Sequence, residues 1–256
     1  MVNGKKFLKK LMDKYKKAKS FFENGVKCYL SKNFEEAEKN FLKALEIAPT
    51  SFPVLENLSK VYLAQEKYNE AEKKLNYLIS LDKENDSIGY YLLLDLYIKK
   101  NNYFDLQLLN DFAWKRKKIN SFSFLSNKLT YPRFFNNSED IKKIRSYFSK
   151  QIDQMINDEN LPTLNLSERL LKPANFELIF DGNDNLEISK KLFCLYNKIY
   201  PEIQRISNFQ IKKNEKINIG FISEFFTDHS IMKLYEGFIY KLNNNDFYQV
   251  YLQLGF

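Results

Sequence analysis

The chain has 256 residues, enough for one or two domains and a sizeable core. It is 44% hydrophobic and 28% charged, and its 23 Phe and 17 Tyr supply rings for a core, which excludes a disordered polymer. The net charge is +8, but residues 5–19 alone hold eight Lys and one Asp, a net of +7. The remainder is nearly balanced. A dedicated nucleic-acid binder spreads positive charge over a folded face, so no specific nucleic acid is expected as a partner.

Met1-Val2-Asn3-Gly4-Lys5-Lys6 is charged and no apolar stretch of secretory type comes after it. No apolar run approaches the roughly 18 residues that would indicate a transmembrane helix. Cys28 and Cys194 lie far apart in helical-looking stretches and read as two buried, reduced thiols of a cytoplasmic protein. Together with a single His they make no metal site, and no cofactor is expected.

Residues 1–17 read as a basic amphipathic helix with Phe7, Leu8, Leu11, Met12 and Tyr15 along one side. This helix either packs its apolar face on the neighbouring repeats or serves as a membrane- or RNA-surface arm.

Residues 18–119 repeat themselves. Aligning 18–51 with 52–85 places Phe21 on Leu55, Gly25 on Ser59, Cys28 on Tyr62, Phe34 on Tyr68, Ala37 on Ala71 and Phe41 on Leu75, all at an offset of 34. That period belongs to tetratricopeptide helical hairpins. Gly25, Ser59, Ala37 and Ala71 are small where helices approach closely, and Phe41 and Leu75 fill the space between. Pro49 ends the first repeat. A degenerate third repeat spans 86–119, where Tyr97 and Tyr103 echo Tyr62 and Tyr68 at offset 35 and Leu106 replaces the small Ala. Its basic end, Lys115 to Lys118, suits a helix C-terminus. Such hairpins stack into a solenoid whose groove captures an extended peptide or a partner helix, or acts as a passive spacer.

Residues 120–210 read as a helical adaptor. Asn120 to Asn137 forms a loop. Ser138 caps a helix with Ile141, Ile144, Phe148, Ile152 and Met155 on its apolar side, and a second helix runs Leu186 to Ile199 with Leu192, Phe193, Leu195, Tyr196 and Ile199 inward. Over 211–256 the pattern changes. Ile217 to Ile222 reads as a strand, Phe225 to Asp228 as a loop, Ser230 to Leu242 as a helix and Phe247 to Leu254 as a second strand. Strand, helix, strand is a βαβ unit and the start of a Rossmann-like domain. The predicted class is therefore mostly α: a tetratricopeptide solenoid and helical adaptor ending in a first βαβ unit.

The array followed by I-N-I-G-F-I-S-E-F-F-T-D-H-S, Ile217 to Ser230, resembles the O-linked N-acetylglucosamine transferases of glycosyltransferase family 41, bacterial type. Tyr131-Pro132, Arg145, Asn175-Phe176 and Asp181-Gly182-Asn183-Asp184 resemble that family's stretch before the catalytic region. The resemblance implies inverting transfer of a sugar from a UDP-type donor to Ser or Thr of a protein, with no required metal. It implies that His229 is a base or substrate contact, at the C-terminal end of a strand and the start of a helix, where anionic groups bind in α/β sheets. It also implies a donor-binding lobe beyond these residues, so the chain alone is expected to be inactive and a complementary catalytic lobe is an expected partner. The family's repeats place Asn along the groove. Asn57 fits that slot, but Glu23 and Tyr91 occupy the equivalents, so no asparagine ladder is expected. The alternative is a non-enzymatic tetratricopeptide adaptor.

A parallel pair of strands needs further strands and cover on both faces. Expressed alone, residues 210–256 should therefore exchange their amide hydrogens quickly. Full protection in a monomer would contradict an incomplete sheet.

Overall fold

The computed structural model describes residues 2–81, 87–167, 171, 175–206, 217–223, 226–242 and 247–253. The chain divides into two compact units, Met1–Gln204 and Arg205–Phe256. The expected boundary at 210/211 and the junction at 86 between the second and third repeats lie outside the described residues.

The first unit is helical. Its helices are α1 (Val2–Leu30), α2 (Phe34–Ile47), α3 (Phe52–Ala64), α4 (Tyr68–Ser80), α5 (Ile88–Lys99), α6 (Tyr103–Lys115), α7 (Ser121–Lys128), α8 (Ser138–Asn157), the single turn α9 (Asn175–Leu178) and α10 (Leu186–Ile199). From α1 to α7 each helix packs on the next, and α1 touches α3 as α3 touches α5. The basic segment is no separate element: α1 runs unbroken through residues 17 and 18.

Three hairpin turns share one backbone device. Lys32, Glu66 and Asn101 adopt left-handed φ values of 60°, 58° and 53°. In each, the next residue donates its N–H back across the turn, from Asn33 to the Cys28 carbonyl, Lys67 to Tyr62 and Asn102 to Tyr97. These Schellman closures satisfy carbonyls at the helix ends. They recur at 34 and 35 residues, in step with the sequence period. Glycine, the usual residue for this conformation, occupies none of the three positions.

Packing explains the matched positions. Ala37, Phe41, Leu55, Ser59, Ala71 and Leu75 are all buried in one core. A Cβ on Gly25 would come within 2.6 Å of the Phe41 ring. In the second repeat the same two places hold Ser59 and Leu75: a slightly larger residue on one helix and a smaller one on the other. The Ser59 hydroxyl, buried, donates to the Leu55 carbonyl of its own helix at 2.8 Å.

A second core gathers Leu106, Leu125, Phe148, Ile152, Leu195 and Tyr200. Helix α5 belongs to both cores, with Leu93 and Leu96 in the first and Tyr90 and Leu94 in the second. This accounts for the degenerate third repeat: Leu106, in the place of a small Ala, fills space toward the second core.

Several sequence expectations need correction. Residues 121–128 form helix α7 rather than loop, because Phe124 and Leu125 are buried on α6. The cap of α8 is Asn137, whose side chain accepts the Asp140 N–H at 2.9 Å, and not Ser138. Helix α10 has the expected limits, but Phe193 points outward at 66% exposure, and Ile188 takes the inward place. Cys28 is half-buried and Cys194 exposed, both free thiols. Of the α1 stripe, Leu11, Met12 and Tyr15 are exposed, and the side chains of Phe7 and Leu8 lie outside the described set.

In the second unit, β1 (Ile217–Ser223) and β2 (Phe247–Gln253) pair in parallel, Ile217 opposite Phe247 and Ser223 opposite Gln253. They are joined through α11 (Ser230–Lys241). Most apolar side chains of α11 are uncovered: Leu234, Tyr235, Phe238 and Tyr240 are exposed, while Ile239 is buried.

Gly25→Ala should cost about 2 kcal/mol, since the Phe41 ring must move in a filled core. Gly25→Ser combined with Phe41→Leu, which copies the second repeat, should recover most of that loss in urea denaturation. An unchanged midpoint for Gly25→Ala would show that the two helices do not meet there.

Candidate functional site

Hairpins are tied to one another by a repeated polar contact. Glu38 on α2 pairs with Lys67 in the next hairpin turn at 2.6 Å. Thirty-four residues on, Glu72 on α4 pairs with Lys100 at 2.6 Å and accepts the Tyr97 hydroxyl proton at 3.3 Å. Burial, then the Glu72 charge, pushes the Tyr97 phenol up to about 12. Burial and Glu38 push Tyr62 up in the same way. In the third repeat the equivalent position is Gln107. It is buried and its amide donates to the Asn127 carbonyl of α7 at 2.9 Å. Asn110 likewise donates to the Phe124 carbonyl at 3.0 Å. The array thus ends where a carboxylate that attracts lysine becomes an amide that satisfies a helix end.

The adaptor residues picked out in the sequence converge. The Asp181 carboxylate, its side chain fully buried, accepts from the Tyr131 hydroxyl at 2.8 Å, from Arg145 Nη1 at 2.6 Å and from the Asn183 backbone N–H at 2.9 Å. Arg145 also donates to the Asn185 side-chain oxygen at 2.7 Å and to the Asp184 carbonyl. Asn185 in turn donates to the Leu178 carbonyl. Gly182 takes a left-handed φ of 71°, which lets the chain fold back so that the Asn183 N–H meets the carboxylate. Burial alone would raise the Asp181 carboxyl, but the Asn183, Tyr131 and Arg145 hydrogen bonds outweigh it and hold it below its ordinary value. The carboxylate's hydrogen bonds all go to these neighbours. The cluster positions the chain from 175 to 186 against α8 rather than performing chemistry. Asn175 and Phe176 open α9, and their side chains lie outside the described set.

Beside this node a cavity of about 520 Å³ is lined by Tyr97, Asn101, Tyr103, Thr130, Arg133 and Phe134, among others. Asn101 spans it to the Phe134 carbonyl at 2.7 Å, and Arg133 pairs with Glu177 at 3.1 Å.

Asn57 lies on α3, where its amide donates to the Pro53 carbonyl of its own helix at 2.8 Å. Glu23 sits 3.8 Å from Lys19, and the Tyr91 hydroxyl accepts the Asn120 N–H at 3.1 Å. The three positions at the 34-residue interval therefore have unlike local partners.

His229 caps α11. Its Nδ1 accepts the Ile231 N–H at 3.2 Å, and its own backbone N–H donates to the Thr227 carbonyl. With Nδ1 accepting, the neutral ring carries its proton on Nε2. In this tautomer Nε2 is a donor, and a proton taken up at Nδ1 would displace the Ile231 cap. Neither Asp228 nor Ser230 provides the cap; Asp228 pairs with Lys233 at 2.6 Å. Among the described residues no group of three His, Cys, Asp or Glu stands ready for a metal, and no helix is long and apolar enough to cross a membrane.

No protein-family model matches the chain, and no curated protein matches it.

Asp181→Asn should cost about 3 kcal/mol at pH 7 by leaving Arg145 without its counter-charge. The folded carboxyl titrates below the unfolded value of about 3.9, so its contribution is complete above that pH and is lost as pH falls through the folded value. The variant should show a flatter stability curve below about pH 4 in urea titrations. A parallel acid limb would remove Asp181 from this role.

Proposed function

We propose that the chain is the N-terminal, acceptor-presenting part of a protein glycosyltransferase of the O-linked N-acetylglucosamine transferase type, with tetratricopeptide repeats over 18–119 and the first βαβ unit of a Rossmann-like catalytic domain at its end. In this reading an extended acceptor protein or peptide lies along the repeats. A donor-binding lobe supplies the UDP-sugar site, and transfer is to Ser or Thr.

One observation carries the reading. Tyr131, Arg145 and Asp181 resemble the family's adaptor one by one, and they meet in a single buried cluster although they are 50 and 36 residues apart. Two features add support. The parallel strand–helix–strand unit has the predicted limits to within a residue or two, and α11 is apolar on more sides than two strands can cover, as a helix of a larger sheet would be. His229 comes after β1 at the start of α11, a place where anionic groups are favoured. The groove role of Asn57 is weaker, since its amide is turned back on its own helix.

The same capping bond favours a second reading. A His that serves its own helix has a structural use without substrate, and the repeats could then act as a non-enzymatic adaptor.

A transfer assay separates the two. The 256-residue chain is incubated with UDP-[14C]N-acetylglucosamine and an array of Ser/Thr peptides, alone and with a donor-binding lobe of a family member supplied in trans. Label on peptides only when both are present, reduced about 100-fold or more by His229→Ala, is expected. Undiminished transfer by the variant would take His229 out of the chemistry. Peptide binding with no transfer under any condition would leave the adaptor reading.

A further inference from the structure

Helix α1 is much longer than its partner. Packed antiparallel, the 14 residues of α2 match only the C-terminal half of the 29-residue α1. Among its described side chains Ala18 is the first that is buried, and every residue from Lys9 to Lys17 is exposed. Some 16 residues, about 24 Å of helix, project beyond the end of α2.

The projecting part is sharply two-sided. At 100° per residue, Leu11, Met12 and Tyr15 fall in the same sector as Ala18 and Phe22, which pack or half-bury further along. Here that stripe is bare, at 55%, 59% and 72% exposure. Together with Ile47 and Ala48 at the end of α2 it borders an open, mainly apolar hollow of about 670 Å³. Lys9, Lys10, Lys14, Lys16 and Lys17 occupy the remaining sides. Lys9, Lys10, Lys14 and Lys16 make no ion pair among the described residues. Helix electrostatics do not account for these lysines. Cations oppose the dipole at a helix N-terminus and favour it at a C-terminus, which is where the run from Lys115 to Arg116 sits. A second copy of the chain is a poor cover, because it would bring the same +7 against itself.

We infer that the N-terminal half of α1 is an interfacial helix that lays Leu11, Met12 and Tyr15 into the surface of an anionic lipid bilayer, with its lysines in the headgroup layer. Both halves of the observation are used: the apolar stripe needs a non-aqueous cover, and the lysines need negative charge beside it. Long lysine stems let the ammonium groups reach the headgroups while their methylenes flank the apolar stripe. The inference is independent of sugar transfer.

Flotation of the full chain with vesicles tests it. Vesicles of phosphatidylcholine with about 30% phosphatidylserine should bind at least about tenfold more tightly than pure phosphatidylcholine at about 100 mM salt. Leu11→Ser, Met12→Ser and Tyr15→Ser together should lower that binding about tenfold or more, with helicity by circular dichroism retained because all three positions are exposed in the native protein. Changing Lys9, Lys10, Lys14 and Lys16 to Gln should remove the preference for anionic vesicles. Three results would overturn the inference: no flotation with anionic vesicles, equal binding to neutral ones, or flotation untouched by the apolar triple change. The last, joined to tight retention on polyuridylate, would assign the lysines to RNA instead.

Discussion

The helical unit depends on what stands at one position of each hairpin's second helix. Glu38 and Glu72 each reach forward to a lysine in the next turn, and a tyrosine hydroxyl shares the carboxylate. A half-exposed ion pair of this kind is worth only about 0–1 kcal/mol. Its larger effect is on register, because it ties one turn of a hairpin to one turn of the next, in step with the close packing of the core beneath. At Gln107 the same position ends the series. The neighbour there is no longer a hairpin turn with a lysine but the main chain of α7, and an amide donor fits where a carboxylate would not. Changing charge to amide converts a repeating contact into a terminal one.

The second core is organised by a different constraint. Between α8 and α10 the described residues include only short helical turns, and backbone outside regular structure must satisfy its polar groups elsewhere. The Asp181 carboxylate does this for its own loop. It draws in Tyr131 from before α8, Arg145 from within it and the Asn183 N–H from just beyond. Buried charges are costly unless fully paired, and here the pairing is complete enough to keep the carboxyl ionised. Next to the cluster, Asn101 of the α5–α6 turn donates to the Phe134 carbonyl at 2.7 Å, which ties the end of the repeats to the segment before α8.

Among the described residues, the projecting half of α1 and the sides of α11 each carry several exposed apolar side chains. Their chemistry differs. Helix α1 sets its exposed stripe against a dense set of lysines, which selects for an anionic cover. Helix α11 carries exposed aromatic and aliphatic residues between the two parallel strands.

The sequence by itself determined what depends on near neighbours. The 34-residue period, the small residues at Gly25, Ala37 and Ala71, the limits of α10 and the alternation of strand and helix after Ile217 are all written in local pattern, and burial agrees with them. What the sequence left open depends on contacts across tens of residues. Residues 121–128, rich in Ser and Asn, look like loop until Gln107 and Asn110 meet their carbonyls. Lys32 and Glu66 carry no glycine signal, yet the packing of two helices forces left-handed turns on them. Tyr131, Arg145 and Asp181 were recognisable as separate residues, but only the fold brings them to one carboxylate. His229 showed the same division: its place after a strand was legible, while the choice of Nδ1 as the cap of α11, which settles the tautomer, was decided by the backbone around it.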